Sequence, residues 1–386
     1  MPSSSATRNP GAPRGLVVGR VFGAPIVLAW SWFVAAVVIT VFFAPWIMRM
    51  SPGLGWPLAW GIAFGYAVLL FSSVFLHELA HAVAGRASGQ QVAGIELNIW
   101  GGFTQFSPRA EEDTRRAATT SFIVSIVGPL VNIVLAGAAV WGLYALPPWT
   151  AGWLLLLAVA VANGALGVMN LLPGIPLDGG WALQALIWRA TGSQYRGTIL
   201  ASWAGRLIAL AFVFAAVVVP LLSGQRPDLI TVAWTTAIAV MLWFSAGDAA
   251  AHARRAQRME TYDLDRVIQP AIAAALDADV DQTLRVADAQ PSQTATLVVV
   301  LDARGLPSGL LDRRAASRAP DLEGRQVHEF MHPLGAWIGV PHSITAPHLL
   351  ESLTHRPKAA FCLVMEGSTL TGVIDLQEFY DELLAD

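Results

Sequence analysis

The stretch Phe71-Ser-Ser-Val-Phe-Leu-His77-Glu78-Leu-Ala-His81-Ala-Val-Ala-Gly85 places two histidines and a carboxylate inside an apolar run that begins near Trp56. In a helix, residues four apart lie one above the other, about 6 Å apart along the axis. His77 and His81 therefore project from one face and can grip one metal ion, with Glu78 beside them. H-E-x-x-H on a helix is a zinc-site signature in which the glutamate serves as general base toward metal-bound water.

Working outward, the surroundings are apolar almost without interruption as far as residue 250. The chain has 386 residues, 55% hydrophobic and only 13% charged, about half the usual charged share of roughly 25%. Most of its carboxylates lie after Asp248. Stretches of about 20 apolar residues suffice to cross a bilayer. The expectation is an α-helical multi-spanning membrane protein with a soluble C-terminal part. Six spans are expected, at about Ala24–Trp46, Pro57–Ala84, Ala117–Leu146, Trp153–Leu172, Ile199–Leu222 and Leu229–Ala249. The domain bounds are 1–20 for a flexible tail, 21–253 for the membrane domain and 254–386 for the soluble domain. A net charge of −3 suggests no nucleic-acid partner. Cys362 is the single cysteine, which excludes an intramolecular disulfide and a cysteine metal site; a small buried apolar role is its default.

Arginine placement orients the spans. With the N-terminus cytoplasmic, the cytoplasmic tail and loops carry Arg8, Arg14, Arg20, Arg86, Arg109, Arg115, Arg116, Arg189, Arg196, Arg254, Arg255 and Arg258, against Arg49 and Arg226 on the other side. The expected localisation is the cell membrane, with the N-terminus and the C-terminal domain cytoplasmic and the H-E-x-x-H near the cytoplasmic end of the second span.

Between the second and third spans, Ile95, Leu97 and Ile99 alternate with Glu96 and Asn98, the period-two mark of a strand. Gly101-Gly102 supplies a turn before Phe103-Thr-Gln-Phe106. A short membrane-associated β-hairpin beside the metal helix is expected, whose edge could pair with an extended peptide by strand addition; the alternative is an interfacial loop that only packs. The fourth span ends in Asn170-Leu-Leu-Pro173-Gly-Ile-Pro176-Leu-Asp178-Gly179-Gly180, which cannot continue a helix. Irregular backbone at membrane depth is tolerated where protein or a water-filled cavity surrounds it. A catalytic zinc site normally has three protein ligands and one open position. Asp178 is the expected third ligand, because it is the acidic residue embedded in a break between spans and lies at the same membrane face as His77. Glu96, Glu111 and Glu112 are weaker candidates in a hydrophilic stretch. Asn170 and Asn132 are intramembrane amides that could bond a substrate backbone or oxyanion, or else join helices. Gly102, at the turn of the hairpin, is a further candidate substrate contact.

After Arg255 an imperfect repeat appears. Ala295-Thr-Leu-Val-Val-Val-Leu-Asp-Ala-Arg-Gly305-Leu-Pro-Ser-Gly309-Leu-Leu-Asp312 resembles Ala360-Phe-Cys-Leu-Val-Met-Glu-Gly-Ser-Thr-Leu-Thr-Gly372-Val-Ile-Asp375. Each copy reads as strand, turn and strand ending in Gly-x-x-Asp before a helical segment, so a tandem α/β module is expected. His328, His332, His342, His348 and His355 have no helical metal spacing.

The pairing of His77-Glu78-Leu-Ala-His81 with Asn170-Leu-Leu-Pro173-Gly-Ile-Pro176-Leu-Asp178-Gly179 resembles the site-2 protease family of intramembrane zinc metalloproteases. Gly128-Pro129-Leu-Val-Asn132 looks like a further family element. The resemblance covers about residues 15–250. It implies one zinc ion held by His77, His81 and Asp178, Glu78 as catalytic base and Asn170 as a substrate contact. It also implies a transmembrane protein substrate cut within the lipid bilayer, such as a tethered anti-sigma factor. The C-terminal repeat looks like a pair of cystathionine-β-synthase-type (CBS) domains, which one branch of the family carries. Such modules often bind adenine nucleotides and frequently dimerise across subunits, which makes a homodimer a candidate assembly. Here Asp312 stands in the first copy, and Asp375 and Glu378 in the second, where carboxylates facing a phosphate would repel it. Two other classes compete: a zinc transporter or channel gated by the C-terminal module, and a catalytically dead scaffold for a client helix.

Overall fold

The computed structural model describes residues 15–99, 101–107, 114–290 and 295–385. It divides into two compact units, Met1–Arg254 and Arg255–Asp386. Among the described residues, six helices are long and apolar enough to cross a membrane.

The first unit begins with strands β1 (Gly15–Val21) and β2 (Ala24–Ala29), followed by helices α1 (Trp30–Met50) and α2 (Gly55–Ala87). Strands β3 (Val92–Asn98) and β4 (Gly101–Phe106) come next, then α3 (Thr114–Leu143), α4 (Ala151–Asn170), the short α5 (Asp178–Thr191), α6 (Gln194–Leu222) and α7 (Leu229–Thr261). The four strands form one sheet in the order β1-β2-β3-β4.

That sheet corrects two expectations. Residues 15–20 are part of a strand rather than of a flexible tail; residues 1–14 lie outside the described residues. Phe22 and Gly23 take φ of 53° and 84°, so the chain reverses within two residues and β1 pairs antiparallel with β2. The apolar run Ala24–Ala29 is likewise a strand and not the start of the first span. Six apolar residues do not by their pattern distinguish a buried strand from a helix, and here β2 is taken up by β3, which pairs with it in parallel through Ile26–Ile95 and Leu28–Leu97. The expected hairpin β3–β4 is therefore half of a four-stranded sheet, with β4 at one edge.

The second unit holds a seven-stranded sheet in the order β8-β7-β6-β5-β11-β10-β9. Its first half runs β5 (Gln269–Ala275), α8 (Val280–Asp288), β6 (Leu297–Leu301), β7 (Pro307–Leu311) and α9 (Arg313–Arg318), followed by β8 (Met331–Pro333). Its second half repeats the order as β9 (Trp337–Pro341), α10 (Ala346–Thr354), β10 (Phe361–Glu366), β11 (Thr369–Asp375) and α11 (Leu376–Ala385). In both halves the first two strands pair in parallel and the next antiparallel. Gly309 faces Val300 in one, and Gly372 faces Val364 in the other. Each half has its own core, around Val280, Val300 and Val327 in one and Leu349, Ile374 and Phe379 in the other. A third cluster shares Val299 with Leu363 and Val373.

The two Gly-x-x-Asp aspartates do the same local work. Asp312 accepts from the backbone N–H groups of Arg314 and Ala315, and Asp375 from those of Gln377 and Glu378. Each satisfies N–H groups that the first turn of a helix leaves open. The Ala315 N–H, and then the His332 ring 2.8 Å from Oδ2, hold the Asp312 carboxyl below its usual range. Cys362 is fully buried, and burial pushes its thiol up to about 12, so it serves packing.

Phe379 has no exposed surface. Phe379→Ala is expected to destabilise the second unit by about 3–5 kcal/mol, read as a lower denaturant midpoint for the full chain. Leu306→Ala, at a half-exposed side chain, should stay within about 0.5 kcal/mol. Equal effects would show that the duplicated cores do not carry this unit's stability.

Candidate metal centre

Helix α2 carries His77, Glu78 and His81, each no more than 7% exposed. Buried polar side chains at membrane depth are costly unless something satisfies them, and the structure provides a carboxylate. The helix of α4 stops at Asn170, and α5 begins with Asp178. The break between them is bound to α6: Ile175 N–H donates to the Ala201 carbonyl at 3.1 Å. Gly205 packs so closely on this segment that a β-carbon there would collide with the Ile175 carbonyl.

Held this way, Asp178 Oδ2 lies 2.9 Å from His77 Nε2 and 3.5 Å from His81 Nε2, and the two imidazole nitrogens are 3.1 Å apart. Among the described residues these three side chains form the one group of three or more ligating residues whose donor atoms all lie within 4.8 Å. Asp178 Oδ2 is at ion-pair distance from His77, yet it has no hydrogen-bond partner. The three ligating atoms crowd around a common point, an arrangement that a cation between them would resolve.

The orientation of His81 is fixed from behind. Its Nδ1 is 2.6 Å from the Val124 carbonyl on α3. A carbonyl can only accept, so Nδ1 carries a proton, and the ring when neutral would present its Nε2 lone pair. Such outer hydrogen bonds orient metal-binding histidines. His77 Nδ1 is buried without a partner. Gly128, also on α3, closes the other side of the centre. A β-carbon there would collide with His81 Nε2 and lie 2.8 Å from His77 Nε2. The metal-facing edges of both rings are thus open only because position 128 has no side chain.

Glu78 is positioned by β4. Thr104 Oγ1 lies 2.9 Å from Glu78 Oε2 and 3.0 Å from its backbone carbonyl. Gly102 comes as close as a glycine can, since a β-carbon would be 2.6 Å from Glu78 Cγ. Glu78, His81, Asp178, Gly102, Thr104 and Trp181 share a cavity of about 430 Å³.

Of the residues expected at the site, His77, Glu78, His81, Asp178 and Gly102 come together. Asn170 ends α4 and lies outside the cavity lining. Asn132 is also outside it, but sits one turn beyond Gly128 on the same face of α3, and both of its amide atoms are buried without partners. Glu96 is in β3 and not in the ligating group; Glu111 and Glu112 lie outside the described residues. Thr104 was not singled out by sequence reading, although alternation along a strand puts residue 104 on the face of Gly102.

Residues 65–148 and 147–215 match peptidase family M50. The chain is 31% identical over 254 residues to the protein sll0528 of Synechocystis sp., across 66% of this chain and 64% of that one. It is 29% identical over 191 residues to the zinc metalloprotease MJ0392 of Methanocaldococcus jannaschii, across 50% of each. It thus spans about half to two thirds of the length of these relatives. Among solved structures it is similar to the CBS domain of the bacterial CNNM/CorC family Mg2+ transporter, 18% identical, across 39% of this chain and 94% of that one, with a TM-score of 0.24.

Gly128→Ala should lower zinc affinity on the order of tenfold or more, the scale of losing a supporting group. Metal analysis after dialysis against a weak chelator measures it. Wild-type zinc content in a folded Gly128→Ala chain would mean that the ring edges facing Gly128 are not where a metal sits.

Proposed function

We propose, from the match of residues 65–148 and 147–215 to peptidase family M50, that the protein is an intramembrane zinc endopeptidase of the site-2 protease family. The observation that carries the reading is the convergence of His77 Nε2, His81 Nε2 and Asp178 Oδ2 beside a carboxylate, Glu78, that takes no part in the convergence. The donor set of two imidazoles and a carboxylate suits zinc and leaves a position for water or substrate. Zinc held there supplies Lewis acidity toward water and toward a peptide carbonyl.

The side chains around that point have separable tasks. Glu78 takes a proton from the attacking water as its oxygen bonds to the carbonyl carbon, and delivers the proton to the departing amine when the C–N bond breaks. Thr104 holds Glu78 in place through one hydroxyl. Gly102, in the cavity lining, contacts the substrate chain. Burial of both histidines and Glu78 limits the water that competes for these groups.

The substrate we propose is a single-pass membrane protein cut within or next to its transmembrane segment, of the regulatory kind exemplified by an anti-sigma factor. A helix hides its amides in internal bonds, so the segment must unwind, and β4, the edge strand nearest Glu78, can receive it in extended form. The enzyme lies in the cell membrane with its N-terminus and second unit cytoplasmic. The second unit is a CBS-type regulatory pair, through which two copies can associate.

Replacement Glu78→Gln tests the reading. Zinc content should persist, while cleavage of a co-expressed single-pass reporter falls by about 10²–10⁴-fold, the usual range for a general base. Cleavage at the wild-type rate would sink the mechanism.

A further inference from the structure

Arg206 lies within the apolar stretch of α6, about 24 Å along the helix axis from its end at Leu222. The hydrocarbon core is about 30 Å thick. The guanidinium therefore sits just inside the bilayer, within a side chain's reach of the headgroup layer on the face that carries Asp178. No ion pair among the described residues involves it, and its Nε is buried without a hydrogen-bond partner.

What surrounds it is aromatic. The guanidinium carbon is 5.0 Å from the ring centroid of Trp203, three residues earlier on α6, and 5.1 Å from that of Trp243 on α7. Rings attract a cation through their faces. The hydrogen-bonding capacity of guanidinium lies in its own plane, in five N–H groups arranged as a fork. Two tryptophans can thus stabilise the charge and leave the fork unfilled. On the α7 side Nη2 packs against Gly247, where a β-carbon would be 2.8 Å from it, so no side chain at that position stands over the fork. Trp203 and Trp243 are 49% and 37% exposed, so the pair opens to the lipid side of the bundle.

We propose that Arg206, Trp203 and Trp243 form a binding site for the phosphate of an anionic phospholipid. The fork matches a phosphodiester with two N–H groups on two oxygens. At this depth such phosphates are the abundant acceptors, and the exposed tryptophan rings provide apolar walls for the first carbons of the acyl chains. A lipid seated there joins α6 to α7 beside the segment in which Gly205 and Ala201 hold the break before Asp178. The inference rests on the membrane-spanning reading alone and does not need the peptidase.

The test uses the full chain in a neutral detergent, titrated with phosphatidylglycerol and followed by native mass spectrometry. Parallel arms use phosphatidylcholine of the same chain length and inorganic phosphate as competitor. Arg206→Gln should weaken the tightest phosphatidylglycerol site on the order of tenfold or more, the scale of one charge-assisted contact. Gly247→Leu keeps the charge but covers the fork, and should weaken that site in the same direction. Phosphatidylcholine should bind this site less tightly, and inorganic phosphate should not displace the lipid. Equal phosphatidylglycerol binding by wild type and both variants overturns the proposal. Displacement by inorganic phosphate alone overturns the lipid assignment. Wild-type lipid binding by Arg206→Gln, with loss of cleavage only for reporters bearing an acidic residue beside their span, would instead assign the fork to a substrate carboxylate.

Discussion

The contact between Asp178 Oδ2 and the imidazoles of α2 exists because the chain between α4 and α5 abandons helical hydrogen bonding at membrane depth. Exposed amides in hydrocarbon have no water to bond, so a break of this kind survives only when protein supplies the missing partners. Here α6 supplies them. The Ala201 carbonyl takes the Ile175 N–H, and Gly205 lets the two backbones meet with no side chain between them. The candidate metal centre thus depends on a helix that contributes none of its three side chains. Helix α3 is the other support, holding His81 through the Val124 carbonyl and leaving space at Gly128.

Much of this could be read from residue types and spacing. Two histidines four apart and a proline-rich break ending in Asp178 point to the three side chains that the structure brings together, since polar groups are rare enough in spans to stand out. The supports were harder to see. Val124 acts through its backbone carbonyl, which every residue possesses, and Gly128 acts by lacking a side chain. Thr104 was within reach, because Gly102 fixes which face of β4 meets α2. The sheet was half legible. The period-two pattern of residues 95–99 marked β3, whereas Ala24–Ala29 has the composition of a span and is a strand only because β1 and β3 flank it. Pairing of that kind is tertiary information. The strong hydropathy of the first 250 residues masks Arg206 in the same way, since it falls inside a span and not in a loop.

The second unit shows the reverse case, in which local chemistry was plain in the sequence and its meaning was structural. The repeated Gly-x-x-Asp recurs because each aspartate caps the helix that follows it and each glycine stands opposite a valine of the neighbouring strand. A carboxylate occupied by its own helix N-terminus is partly neutralised by backbone N–H groups. The repulsion of a phosphate expected from Asp312 is weaker for that reason, since the Ala315 N–H and His332 share its charge.

Two polar clusters lie toward the same face of the bilayer, and they are balanced by different means. At His77, His81 and Asp178 three ligating atoms crowd together, and a single cation would satisfy all three at once. At Arg206 the case is of the opposite sign: a cation flanked by two tryptophan rings, with its Nε–H buried and without an acceptor, which the proposed phosphate would satisfy. Each cluster leaves a buried polar atom without a partner, and in hydrocarbon that need is not met by bulk water. One cluster therefore calls for a small ion that reaches a buried cavity, and the other for a charged group that arrives from the membrane surface.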